Sequence, residues 1–235
     1  MKPSRFYPLA LMLGVVSAHA STVEFAGTST AAFGAYQPTV TDSRVSNSAG
    51  HGIFADQIEF SWGGRSAANR SALSFDGLSF NAGIEPFIVG SLNYLNNKIL
   101  ASQALSSVAF SLGLDFGAYG RQQLDFDFAI DETADNVCSE PGCPDTVTIA
   151  PTTSFTSSPL ATIDNVAYRF EFLGFAVGGQ AISPSFTTDE TASSVVNLYG
   201  RMTATPVAVP VPAALTLFVT GLLGVVGMGT RAKIR

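Results

Sequence analysis

The chain has 235 residues, 46% hydrophobic and only 13% charged, with 12 Lys and Arg against 18 Asp and Glu. All 18 acidic residues fall between Ser21 and Thr205, where only Arg44, Arg65, Arg70, Lys98, Arg121, Arg169 and Arg201 are basic, so seven positive charges face 18 negative ones for a net −11. A segment of that sign repels phosphate backbones and argues against a nucleic-acid partner; it suits metal cations or neutral glycans, or simply keeps an exported protein soluble.

In chain order, Lys2 and Arg5 form a positive start, Phe6 to Val16 an apolar stretch, and Ala18-His19-Ala20 a small-x-small cleavage site. That pattern predicts a signal peptide over 1–20, cleaved between Ala20 and Ser21. The remainder, 21–205, is long enough for one domain with a sizeable core and short for two. Within it, apolar residues recur with period two at Leu73 and Phe75, Val108 to Leu114, Leu124 to Ile130, and Val166 to Phe172, which predicts half-buried strands. The stretch from Gln123 to Ile130 is the clearest, with Asp125 and Asp127 on one face and Leu124, Phe126 and Phe128 on the other.

Further strands are predicted at Ile58 to Trp62, Phe87 to Leu95, Thr146 to Ala150 and Val195 to Thr203, separated by turn clusters such as Asp76-Gly77 and Asn96-Asn97. Helical periodicity is weak everywhere and surfaces only around Ala101 to Val108. Eight or more short strands without crossover helices predict an all-β fold, an antiparallel jelly-roll-like β-sandwich. The absence of a 20- to 50-residue repeat argues against propellers and solenoids. Thr152 to Ser158 reads as a loop and Ala204 to Pro212 as a stiff proline-rich linker, with 206–212 set apart as linker and sorting motif.

Cys138 and Cys143 are the only cysteines, and Ser-Glu-Pro-Gly between them supplies a Pro141-Gly142 turn, so a local disulfide is expected in an oxidising compartment. Zinc is disfavoured, because the mature segment offers one histidine, His51, as a further soft ligand. The same scarcity argues against a Ser or Cys hydrolase, and Asp125 with Asp127 reads as a solvated strand face before it reads as a glycosidase pair, so no enzymatic activity is expected. Asp131, Glu132, Asp135, Asn136 and Asp145, together with Glu140, cluster hard oxygen ligands beside the cysteine turn. They are candidate ligands for a structural calcium ion, though without EF-hand register, and a solvated loop is the competing reading; no other cofactor is expected. Trp62, Tyr94, Tyr119 and Tyr199 are candidates for stacking on sugar rings, although Trp62 and Tyr94 read first as residues of the core or its rim.

The C-terminal end carries the strongest signal. After Val209-Pro210-Val211-Pro212 comes an uncharged apolar run of 18 residues from Ala213 to Thr230, then Arg231, Lys233 and Arg235. As a helix the run would span ~27 Å, close to the hydrocarbon thickness of a bilayer, and its basic end would stay cytoplasmic, leaving everything before Pro206 on the opposite face. Pro210-x-Pro212, Ala213, the Gly221-Leu222-Leu223-Gly224 segment and the basic end resemble the PEP-CTERM sorting signals of Gram-negative bacteria, with Val211 where the acidic residue of Pro-Glu-Pro would sit, so the match is to the Val-Pro-x-Pro-Ala variant. That resemblance implies an exosortase-type enzyme as partner; an uncut tail anchor is the competing reading.

A second resemblance covers most of 21–205. Phe60-Ser61-Trp62-Gly63, Leu73-Ser74-Phe75, the run Pro86 to Asn96, Tyr168-Arg169-Phe170-Glu171-Phe172 with Gly174-Phe175, and Leu198-Tyr199-Gly200 are similar to the choice-of-anchor K domain and the related THxN proteins, with Asn93-Tyr94-Leu95-Asn96 in place of Thr-His-x-Asn. The resemblance implies a β-rich surface module. Together these readings predict a signal peptide (1–20), a β-sandwich ectodomain (21–205), the linker, a transmembrane helix (213–230) and a basic cytoplasmic tail (231–235). The expected function is that of an exported bacterial protein, anchored in the inner membrane as a precursor and then placed at the cell surface or in the extracellular matrix, with a structural or adhesive role. The alternative is a glycan-binding module, calcium-dependent or not, that engages extracellular polysaccharide.

Overall fold

A computed structural model describes residues 23–37, 46–47, 54–64, 66–133, 144–150 and 157–208. The strands among them are, in order, β1 (Phe25–Gln37), β2 (Ser46–Asn47), β3 (Gln57–Gly63), β4 (Arg70–Gly77), β5 (Ser79–Ala82), β6 (Phe87–Leu95) and β7 (Ser107–Asp115). They continue with β8 (Arg121–Asp131), β9 (Asp145–Ala150), β10 (Ala161–Ile163), β11 (Val166–Ala176), β12 (Ser185–Thr188) and β13 (Ser193–Pro206). The only helical elements among the described residues are three single 3₁₀ turns, at Ala67–Asn69, Ala101–Gln103 and Gly117–Tyr119. The weak helical signal near Ala101 resolves into one such turn followed directly by β7, because Val108, Phe110 and Leu112 return to period two.

The strands form two antiparallel sheets, a six-stranded one in the order β12-β9-β8-β7-β1-β5 and a seven-stranded one in the order β10-β11-β13-β6-β4-β3-β2. Side chains alternate between buried and outward most regularly in β7 and β8, and the buried sets of the two sheets meet as one interior. That interior is a lattice of rings reaching from sheet to sheet. Phe33 lies 5.6 Å from Phe60, Phe75 lies 5.7 Å from Phe110, and Phe126 stacks on Phe172 at 5.2 Å. Each ring buries a large apolar area, and the tilted and edge-to-face arrangements add roughly 1 kcal/mol per pair to that burial.

Local chemistry sets the turns. Asp164 and Asn165, the two residues between the paired Ile163 and Val166, both have positive φ, as a two-residue type I′ hairpin requires. In β11 the register shifts between Phe172 and Gly174, and Gly174 sits at φ 125° with Ser183 O only 2.5 Å from where a Cβ would stand, so this bulge accepts glycine alone.

The two ends of the sandwich differ. At one end the chain enters and leaves: the Phe25 ring is 5.3 Å from Tyr168, which pairs with Ala204 near the finish of β13. Here β13 runs into the stretch read as linker, with Thr205 opposite Ala167 and Pro206 opposite Val166. Met202 N–H donates to Gly83 O on the side away from β11, and Pro206 has the same parity, so its missing N–H costs the ladder nothing. At the other end β3, β6, β8 and β12 finish and β9 and β13 begin. The predicted signal peptide and the apolar run from Ala213 to Thr230 lie outside the described residues, among which no helix is long and apolar enough to cross a membrane.

Candidate functional site

A knot of buried aromatic side chains, buried Asp145 and half-buried Glu132 and Glu190 occupies the end of the sandwich remote from the chain's entry and exit. Trp62 and Tyr94 are the penultimate residues of β3 and β6; both continue the inward-facing series of their strands and both are fully buried. Their rings stack with centroids 5.9 Å apart and planes 10° from parallel, so the two polar atoms of the pair present themselves to the opposite sheet. Trp62 Nε1–H donates to Glu132 Oε2 at 3.2 Å and Oε1 at 3.4 Å, and Tyr94 O–H donates to Asp145 Oδ2 at 2.8 Å. Glu132 follows β8 and Asp145 opens β9, so each bond joins one sheet to the other.

Backbone donors complete both carboxylates. Leu105 N–H donates to Glu132 Oε2 at 2.9 Å, and Thr133 N–H donates to Asp145 Oδ1 at 2.8 Å. Thr133 Oγ1–H also donates to Pro144 O at 3.0 Å, which ties the two stems of the segment 134–143 to each other. On the other side of Asp145, cross-strand from it, stands buried Thr188, whose carbonyl accepts from the side-chain amide of buried Asn96 at 3.0 Å. Glu190 follows in the turn between β12 and β13.

Three carboxyl groups, one buried and two half-buried, cannot all ionise cheaply so near one another. Burial pushes the Glu132 carboxyl up to about 8; the charges of Asp145 and Glu190 add to the rise, while the Leu105 and Trp62 donors oppose it. That shift favours the protonated form of Glu132 at neutral pH. Burial likewise raises Tyr94, with the charges of Glu132, Asp145 and Glu190 acting in the same direction, so its hydroxyl stays a donor to Asp145 throughout the physiological range.

The structure brings together two of the six residues predicted from the sequence as candidate calcium ligands, Glu132 and Asp145. Asp131 sits on the opposite, exposed face of β8, since adjacent residues of a strand point apart. Asp135, Asn136 and Glu140 lie outside the described residues, as do Cys138, Cys143 and His51 and the predicted sorting and cleavage residues Ala20, Ser21, Pro210, Pro212, Ala213, Gly221, Gly224, Arg231, Lys233 and Arg235. Among the described residues no three His, Cys, Asp or Glu side chains form a group that could hold a metal ion. Asp125 and Asp127 face outward as their alternation predicts, and Asp125 accepts from Gln123 Nε2 at 2.8 Å and from Ser111 Oγ across the strand. Trp62 and Tyr94 are core residues, which removes them as sugar platforms; Tyr119 is 42% exposed.

Sequence reasoning missed that Glu132 answers Trp62 and that Thr188, Asn96 and Glu190 join the cluster. The signal was parity. Leu124, Phe126, Phe128 and Ile130 face inward, and Glu132 is the next term of the series; Asp145 precedes Val147 and Ile149 in the same way. An acid on the inward parity of a strand demands a buried partner. No protein-family model matches the chain, and no curated protein matches it.

Proposed function

We propose that this chain is an exported, non-enzymatic surface or extracellular-matrix module with a structural or adhesive role, made as an inner-membrane-anchored precursor. The observation that carries the reading is the C-terminal sequence itself: Pro210 and Pro212, 18 uncharged residues from Ala213 to Thr230, and the cations Arg231, Lys233 and Arg235. An exosortase-type enzyme is the partner that such a tail would meet. Placement of the ends supports it. Because β13 delivers Pro206 beside the entry of β1, a membrane tether there turns the Trp62 and Tyr94 end outward, together with the stems of the segment that holds Cys138 and Cys143. A jelly-roll-like wrapping belongs to the same reading, supported by β4 and β5, consecutive strands that lie in different sheets.

Mass spectrometry of the protein recovered from its own cells tests this. The expected chain begins at Ser21 and ends near Pro212 if sorted, or at Arg235 in the membrane fraction if merely anchored. An intact Met1 on a chain found in the soluble cytoplasmic fraction overturns the proposal.

A further inference from the structure

On the outer face of the six-stranded sheet, β1, β7 and β8 lay out two cross-strand rows, Thr30-Gly113-Gln123 and Thr28-Asp115-Arg121. Gly113 leaves the middle of the first row without a side chain, and the Phe54 ring lies over that gap, so close that a Cβ on Gly113 would stand 3.0 Å from its edge. Phe54 nevertheless remains 38% exposed. The result is an open trough of about 510 Å³ bordered by this ring and the two polar rows, a size in the range of small-ligand sites.

The trough's charges are matched. Arg121 Nε–H donates to Asp115 Oδ2 at 2.8 Å, and Gly117 N–H donates to Asp115 Oδ1 at 2.9 Å, which fixes the carboxylate and lowers its proton affinity. Gln123 lines the trough and spends one amide hydrogen on Asp125, which leaves its amide further capacity to donate and accept. A part-exposed aromatic ring beside hydroxyl, amide and a paired guanidinium and carboxylate offers the apolar surface, donors and acceptors that a pyranose with vicinal hydroxyls requires. The surrounding net −11 disfavours polyanions.

We infer that this trough is a binding site for neutral saccharide, with Phe54 as the stacking platform and Gln123, Asp115 and Arg121 as the hydrogen-bonding rim. The inference gives the adhesive reading a ligand class and rests on that part of it alone, so the two fail separately: saccharide binding leaves the mature C-terminus unaltered, and a cytoplasmic chain would leave the trough intact.

The test uses the full-length protein in detergent against immobilised neutral hexasaccharides of glucose, mannose and galactose. Saturable binding to at least one probe is expected, weakened roughly tenfold or more in Phe54→Ala and in Gln123→Ala, and unchanged in Val195→Ala, an exposed position on the other sheet. Gln123 is exposed and its loss leaves the core untouched, so that variant serves if Phe54→Ala folds poorly. Absence of binding to all three probes, or equal binding by wild type and Gln123→Ala, overturns the site.

Discussion

Glu132→Gln isolates the electrostatics of the acidic knot. The amide keeps an oxygen for the Leu105 and Trp62 N–H groups and removes the group that must stay protonated in the enclosed site. A carboxyl moved from 4.5 to about 8 changes the free energy of its ionised form by roughly 5 kcal/mol at ~1.4 kcal/mol per tenfold change in proton affinity. Because Glu132 is only half-buried, solvent screening reduces this to roughly half. The sign follows from linkage. The folded state binds this proton more tightly than the unfolded chain, so the contribution is fully present below about 4.5 and is lost as pH rises through about 8. Urea unfolding between pH 5 and 9 should show wild-type stability falling by roughly 2–3 kcal/mol more than that of Glu132→Gln. Trp62, the only tryptophan, reports the same event directly, and its emission in the folded protein should titrate with a midpoint near 8 in wild type and not in the variant. Parallel stability profiles, together with an identical emission titration in both proteins, would refute the claim that burial holds the proton on Glu132.

Four further outcomes follow from other contacts. Tyr94→Phe leaves Asp145 Oδ2 buried without its 2.8 Å donor and should cost ~2–3 kcal/mol in denaturant unfolding, more than the loss of one exposed hydrogen bond. Gly174→Ala places a methyl against Ser183 O at a φ that alanine resists, and should lower stability by ~2–4 kcal/mol. In the β10–β11 turn, Asn165→Val should cost ~1–2 kcal/mol while Asn165→Gly stays within ~0.5 kcal/mol of wild type, because only the β-branched residue opposes φ 61°. Calcium reaching Glu132 and Asp145 would have to compete with the Trp62, Leu105, Tyr94 and Thr133 donors, so titrating it into the full chain should leave Trp62 emission unchanged; a saturable change would place the ion in the cluster.

Large apolar residues at period two made most of the sandwich legible. Phe87 to Leu95 is predicted and found with the same bounds, and Gln123 to Ile130 lies wholly inside β8. β1, among the longest strands, escaped because its stretch from Gly27 to Ala32 is built of Gly, Thr, Ser and Ala, whose small side chains carry little hydrophobic signal, and because a register shift between Phe33 and Tyr36 breaks the alternation. The short β5, β10 and β12 hold too few residues for a period to register. For the site, the acids between Asp131 and Asp145 were visible as a chain-local group, but the fold divides that group by strand parity. It then joins Glu132 to Trp62 across 70 positions and Asp145 to Tyr94 across 51, separations at which composition says nothing about pairing.

That division assigns different tasks to the two kinds of polar residue. Trp62, Tyr94, Glu132 and Asp145 bond to each other and to the Leu105 and Thr133 backbone and hold the two sheets together where β3, β6, β8 and β9 meet, so altering them should register first as stability. Phe54, Asp115, Arg121 and Gln123 project from a face that contributes nothing to the ring lattice between the sheets, and altering them should register first as binding. The interior is filled by fully buried rings, which leaves ligand chemistry to the outer faces and the strand ends. A variant set that separates these responses, with Tyr94→Phe unfolding early and binding normally at low temperature while Gln123→Ala unfolds normally and binds weakly, would show that the aromatic–acid knot and the trough are independent devices on one scaffold. If instead both variants lost stability and binding in proportion, the trough would owe its shape to the same cooperative core and the two could not be assigned separate tasks.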